Sequence, residues 1–300
     1  MTYSILARDP DTGELGVAVQ TRWPMVGAAV PWVEAGVGAV ATQAATNRAL
    51  GPLVLERLRQ GRSANEALAE ALATDPDAEV RQLAVVDAAG RAAVHTGERC
   101  VAEAGQATLP NVSAQGNMLA ETGMPAAMLQ AFAAGGNDLA SRLLVALRAA
   151  EEAGGDVRGR QSAALVVASG EAEAAAWTYR FDLRVDDARD PLGELERLLG
   201  VARAFERLPA ALRSARAGAL AEALAGTLAA HELAPDDSQL AFWHGVVLLA
   251  SGQADAGRSL LRRTLRAEPG LAAYATRLAQ AEPGSTLAAA LRAAAALDEI

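Results

Sequence analysis

Thr2 follows the initiator methionine and opens the β-capable run Thr2-Tyr3-Ser4-Ile5-Leu6-Ala7. Methionine removal before a small residue is common. It would leave Thr2 carrying a hydroxyl and a free α-amine on one residue. The reference pKa of that amine is about 7.7–8.0, so it accepts a proton near neutral pH. A threonine with its own amine is therefore a nucleophile with a built-in base. That suits a chain whose three histidines, His95, His231 and His244, lie far apart. The plain alternative is an ordinary Met-Thr start.

Other chemistries find no support in the residues. No histidine spacing resembles a zinc motif, and a single cysteine, Cys100, excludes an internal disulfide or a multi-cysteine metal site. No metal and no cofactor are expected. Gly36-Val37-Gly38-Ala39-Val40-Ala41 imitates a dinucleotide loop, but a strand pattern follows it where a helix should begin. Cys100 reads as a quiet, partly buried thiol, and His95, alternating along a strand, as structural. The chain has 300 residues, 27 basic and 36 acidic, for a net charge of −9. That balance argues against general nucleic-acid binding, which needs a basic face. No apolar run is long enough to cross a bilayer and no signal-peptide core is seen, so a cytoplasmic location is expected.

The elements that would position Thr2 are legible up to about residue 190. Residues 3–7 and 15–20 flank Asp9-Pro10-Asp11-Thr12-Gly13, a hairpin signature. Residues 83–86 and 92–95 flank Asp87-Ala88-Ala89-Gly90 in the same way, and residues 38–43 add a strand. A third hairpin joins 164–167 to 177–181 around Ser169-Gly170-Glu171. Helices are expected over 52–59, from Ser63 with Glu66 completing a capping box, over 125–132, and over 139–153. Hairpins with helices grouped between them indicate an α+β fold.

After residue 190 the chain turns helical and rich in Ala, Leu and Arg. Gly218 and Gly252, and Pro235 and Pro269, each recur after 34 residues. The later unit sets Gly245, Gly252 and Pro269 where a tetratricopeptide repeat has its small residue, inter-helix turn and terminal proline. Ala211, Gly218, Ala223, Ala230 and Pro235 match in the earlier unit. Phe242 and Trp243 are expected to pack within it. Domains are expected at 1–200 and 201–300.

Five stretches in order carry a family resemblance. They are MTYSILARDPDTGELGVAVQTR, GVGAVATQAATN, SAQGNMLA, GGDVRGRQSAALVV and DLRVDDARDP. Over residues 1–200 the chain resembles the uncharacterised family DUF1028. The resemblance implies an N-terminal-nucleophile (Ntn) hydrolase-like fold, a four-layer αββα sandwich with the nucleophile at the start of a central strand. It also accommodates a further C-terminal module, here the all-α TPR-like region.

Within that frame further residues become candidates. An amide hydrolase must stabilise an oxyanion. Gln115-Gly116-Asn117, read as a short exposed loop, offers backbone and side-chain donors, or else polar side chains that bond their own backbone. Arg158 and Arg160, in the Gly-rich loop 154–162, are candidates to hold a substrate carboxylate, with Asp156 orienting one of them or the amine. The alternative is an internally paired structural loop. Gln43 (beside Thr42) and Asn47 either line the cleft or cap a strand end. Arg22 is a candidate for lowering the amine pKa, as a basic residue does in threonine-dependent Ntn enzymes. Asp186-Asp187 reads either as paired carboxylates or as a pair favouring a helix start near Pro191.

The expected activity is hydrolysis of an amide in a small molecule or peptide, with Thr2 attacking after Met1 leaves. The alternative is a non-catalytic ligand-binding Ntn-like scaffold with a TPR-like protein-interaction region. Expected partners are an amide substrate and a protein docking on the helical repeats. Nucleic acid and membrane are not expected, and the few repeats leave room for homo-oligomerisation.

Overall fold

A computed structural model describes residues 2–171, 175 and 178–299. The chain divides into two compact units, Met1–Glu196 and Arg197–Ile300.

The first unit is built on hairpins. Strands β1 (Thr2–Arg8) and β2 (Leu15–Thr21) pair antiparallel with Thr2 opposite Thr21. The Asp9 carboxylate accepts the Asp11 and Thr12 N–H groups at 2.9 and 3.0 Å. Gly13 takes φ +75°, which a side chain would resist. β3 (Pro31–Glu34), β4 (Gly38–Ala44), β5 (Arg81–Asp87) and β6 (Ala92–Thr96) form a four-stranded sheet in that order. β7 (Gly105–Leu109), β8 (Val112–Asn117), β9 (Ser162–Ala168) and β10 (Tyr179–Val185) join the first hairpin. The resulting six-stranded sheet has the order β10-β9-β2-β1-β8-β7, so β1 is internal. Every strand pair is antiparallel.

The sheets face each other. α1 (Leu50–Arg59) and α2 (Ala64–Leu72) cover the outer face of the smaller sheet, and α3 (Met124–Ala134) and α4 (Leu139–Glu152) that of the larger. The layers therefore run helix, sheet, sheet, helix. The Ser63 hydroxyl accepts the Glu66 N–H and the Glu66 carboxylate accepts the Ser63 N–H, closing the expected capping box.

Alternation along β1 sends Leu6 toward the facing sheet, where it packs with Val17, Val19, Ala39, Ala41, Ala84 and Val86. Ser4 and Thr2 share that face. Tyr3 points the other way, and its hydroxyl donates to Glu151 of α4 at 2.6 Å. Burial and the Glu151 carboxylate push the Tyr3 pKa upward.

Three departures from the sequence reading stand out. Gln115-Gly116-Asn117 is not a loop but the end of β8, buried in the larger sheet. Its inward residues, Ser113, Gln115 and Asn117, are all polar, so the apolar alternation that betrays a strand is absent. β3 and β7 also escaped the sequence reading. The strand expected from Trp177 starts at Tyr179, Trp177 being outside the described residues.

In the second unit, α5 (Pro191–Arg216, which starts within the first), α6 (Leu220–Leu233), α7 (Ser238–Ala250), α8 (Ala254–Ala267), α9 (Gly270–Ala281) and α10 (Ala288–Ala295) follow one another. Gly218 and Gly252, at φ +82° and +80°, close the turns after α5 and α7. The 34-residue spacing is thus a repeat of helix pairs. Small residues set the approach within a pair: a Cβ on Gly245 would meet Leu261 Cγ at 2.7 Å, and one on Gly226 would meet Ala211 Cβ at 2.7 Å. Phe242 and Trp243 pack in the core, as expected.

Candidate active site

Thr2 lies at the rim of the inter-sheet space, at the open end of β1. Its hydroxyl donates to the Thr21 hydroxyl at 3.1 Å. Both line a cavity of about 410 Å³, with Trp23, Val26, Ala29, Val30, Ala44, Thr46, Arg48, Met118 and Arg158. Thr2 is 9% exposed, and the cavity reaches it. A volume of this order holds a small organic ligand. Met1 is outside the described residues.

Behind Thr2 the two sheets meet through amides. Gln43 Nε2 donates to the Thr2 carbonyl at 3.2 Å and to Gln82 Oε1 at 2.8 Å. Asn117 Nδ2 donates to the same Gln82 oxygen at 3.0 Å, and Gln82 Nε2 donates to the Gly116 carbonyl at 2.9 Å. Ser4 donates to Gln43 Oε1 at 2.7 Å, and Gln115 Nε2 donates to the Ser4 carbonyl at 3.2 Å. These side chains are almost wholly buried. In a low-dielectric interior each bond is costly to leave unmade, so the lattice fixes the Thr2 backbone. One acceptor is left over: Asn117 Oδ1 is buried with no partner among the described residues. Asn117 is the residue of β8 opposite Thr2.

The Gly-rich loop supplies one wall. Gly154 and Gly155 end α4 at φ +107° and +57° and turn the chain so that Asp156 bridges to Leu119. The Asp156 carboxylate is buried and accepts four N–H groups. They are the Arg22 backbone at 2.9 Å, the Arg158 backbone at 2.9 Å, and Arg158 Nε and Nη2 at 3.2 and 3.1 Å. Buried charge is tolerated only when paired and bonded in this way. Asp156 thus ties the loop to the end of β2 and fixes Arg158 at the cavity.

Backbone strain gathers at the same place. Four described non-glycine residues have positive φ: Met25, Ala44, Asn111 and Met118. Ala44 and Met118 line the cavity, and Met25 sits between the lining residues Trp23 and Val26. For L-residues this conformation costs roughly 1–2 kcal/mol each. Strain of that kind persists where the surroundings demand it, and it concentrates at functional sites.

The expected site residues therefore separate. Thr2 and Arg158 reach the cavity, Asp156 orients Arg158, and Gln43 and Asn117 hold Thr2 from behind. Gln115 and Gly116 are spent inside the lattice, which overturns their reading as an exposed donor loop. Arg22 turns its guanidinium to Gln161, and Arg160 pairs with Glu151 and Asp190 at 3.3 and 3.7 Å while bonding the Arg189 carbonyl. Neither lines the cavity. Asn47 neither lines the cavity nor caps a strand end: in the loop before α1 its oxygen accepts the Ala49 N–H and its amide nitrogen donates to Asp75. Asp187 accepts from Gln161, and α5 begins at Pro191. His95 bonds the Ala78 carbonyl, and burial raises the Cys100 pKa, as suits structural residues.

Sequence reasoning missed Thr21, Trp23, Thr46, Arg48 and Met118. All but Arg48, which lies in the loop before α1, stand within a residue or two of a strand end, where a sheet edge delivers side chains to a cleft. Trp23 is 66% exposed, an unusual setting for an indole that only the structure shows.

A profile for a family of unknown function, DUF1028, matches residues 2–195. Nothing among curated proteins matches the chain. Among solved structures, a DUF1028 protein from Silicibacter pomeroyi is similar, with 36% identity and a TM-score of 0.60. The match covers 66% of this chain and 87% of that one. Across the unit that holds Thr2, its cavity and the amide lattice, the chain belongs to the DUF1028 family.

Proposed function

We propose that the first unit is an Ntn-type amide hydrolase with Thr2 as nucleophile. The observation that supports it most is the cavity that meets the Thr2 hydroxyl at the start of an internal strand. The helix–sheet–sheet–helix layering is the arrangement that an Ntn hydrolase uses.

In this reading Met1 is removed. The Thr2 amine takes the hydroxyl proton as Oγ1 attacks the amide carbonyl. The C–N bond breaks, the amine passes its proton to the departing nitrogen, and a threonyl ester remains. Water, deprotonated by the same amine, releases the acid and restores the hydroxyl. Asn117 Oδ1 has no partner among the described residues and stands on the strand residue opposite Thr2. It is the acceptor we assign to the freed amine, holding its lone pair toward Oγ1. Arg158, fixed by Asp156, would hold a substrate carboxylate.

The test has two stages. Intact mass of the purified chain is expected to lack Met1. Retained Met1 would leave the Thr2 nitrogen acylated and without basicity, and the fold would then serve as a binding scaffold. An amide-library assay should then show turnover that Thr2→Ala abolishes and Thr2→Ser partly keeps. Turnover that survives Thr2→Ala would overturn the mechanism.

A further inference from the structure

The chain carries 36 acidic and 27 basic residues, yet no described residue lining the Thr2 cavity is acidic and two are arginines, Arg48 and Arg158. A cleft of one sign in a molecule of the other concentrates the opposite ion, here an anion. Arg158 is partly committed to Asp156. Arg48 differs: it is exposed and makes no hydrogen bond or ion pair with any described residue. Elsewhere in this unit guanidiniums are shared with carboxylates, as in Arg59–Glu34, Arg81–Asp75 and Arg148–Glu196. The rest of the lining is apolar or weakly polar, with Trp23, Val26, Val30 and Met118 offering a surface for a hydrocarbon body. Trp23 is open to solvent and available for such a contact.

We infer that the ligand is an N-acyl amino acid or a short peptide with a free carboxylate and an apolar side chain, its carboxylate held by Arg48 together with Arg158. The amide in this ligand rests on the hydrolase reading of Thr2; the demand for an anion joined to an apolar body rests on the lining alone. Arg48 is then a specificity residue that shapes affinity without holding the fold.

The test is calorimetric binding to the full chain carrying Thr2→Ala, so that nothing turns over. The probes are N-acetyl-L-leucine and its neutral counterpart N-acetyl-L-leucinamide. A charge-assisted pair predicts that the acid binds on the order of tenfold or more tightly than the amide. Adding Arg48→Gln should cut that preference several-fold, Arg158 remaining, while the far-ultraviolet spectrum and thermal midpoint stay unchanged. Adding Trp23→Ala should weaken both probes together. Equal affinity for the two probes, no binding of either, or an acid preference undiminished by Arg48→Gln overturns the inference. The hydrolase reading fails separately, through retained Met1 or absent turnover with this binding intact.

Discussion

Replacing Gln82 by Met tests the amide lattice behind Thr2. The two side chains have nearly the same length and volume, so little cavity is created. Gln82 is wholly buried. Its oxygen accepts from Gln43 and Asn117, and its nitrogen donates to the Gly116 carbonyl, to Thr96 and to the Gly105 carbonyl. After substitution Gln43 keeps the Thr2 carbonyl, and the Thr96 hydroxyl keeps Gln106. Asn117 Nδ2 loses the bond that Gln82 accepted, and the Gly116 carbonyl loses its side-chain donor. A buried polar group left unsatisfied costs about 1–3 kcal/mol, so two predict a loss of roughly 2–6 kcal/mol. Against a domain stability of about 5–15 kcal/mol that is a large fraction. Urea denaturation, followed by circular dichroism and by the fluorescence of unit-one tryptophans in a Trp243→Phe background, should show the midpoint falling with the slope unchanged. A loss below about 1 kcal/mol would mean that the amides are not mutually dependent, and that Thr2 is held by strand pairing alone.

Two pH effects follow from buried groups. Asp75 accepts from Arg81 at 2.9 Å and from Asn47 at 2.9 Å, and the Arg81 hydrogen bond foremost lowers its pKa from 3.8 to about 2. Its stabilisation is present above the unfolded value and is lost as pH falls through the folded one, so Asp75→Asn should flatten the decline in stability between pH 3.8 and about 2 in an acid titration. Tyr3 shifts the opposite way, chiefly through burial and then Glu151, so its contribution holds below the unfolded value of 10.0 and falls as pH rises beyond it. Tyr3→Phe should remove that alkaline slope in denaturation measured from pH 9 to 11; an unchanged slope would show that Tyr3 ionises freely.

The parts legible in the sequence were those governed by local rules. Turn residues between apolar runs marked the first two hairpins, Ser63 and Glu66 marked a helix start, and glycines 34 residues apart marked the helix pairs. What escaped depended on tertiary partners. β8 could not be read as a strand because its inward side chains answer amides on the facing sheet, not an apolar core. Arg22, Arg158 and Arg160 look alike in the chain, and only the positions of Asp156, Gln161 and Glu151 decide which one reaches the cavity. Arg48 was passed over beside Asn47, because a loop arginine has no sequence signature until the cleft next to it is seen.

That misreading of β8 also constrains the chemistry. An oxyanion donor must be free to point at the reacting oxygen and be held there beforehand. Gln115 Nε2 donates to both the carbonyl and the hydroxyl of Ser4, so recruiting it would break a buried bond at the moment of reaction, whereas Asn117 Nδ2 spends one N–H on Gln82 and has a second. In the hydrolase reading further donors come from the cavity walls, where the Thr21 and Thr46 hydroxyls are found, Arg158 being taken by the substrate carboxylate. A guanidinium pairs with a carboxylate more strongly than a neutral amide does. Asp156, by accepting from both the backbone and the side chain of Arg158, keeps that group in place before substrate arrives. The division of labour is physical: neutral amides, which lose less than charges do on burial, lock the strand of Thr2, while the arginines stay at the cavity, where in the hydrolase reading a ligand would complete their pairing.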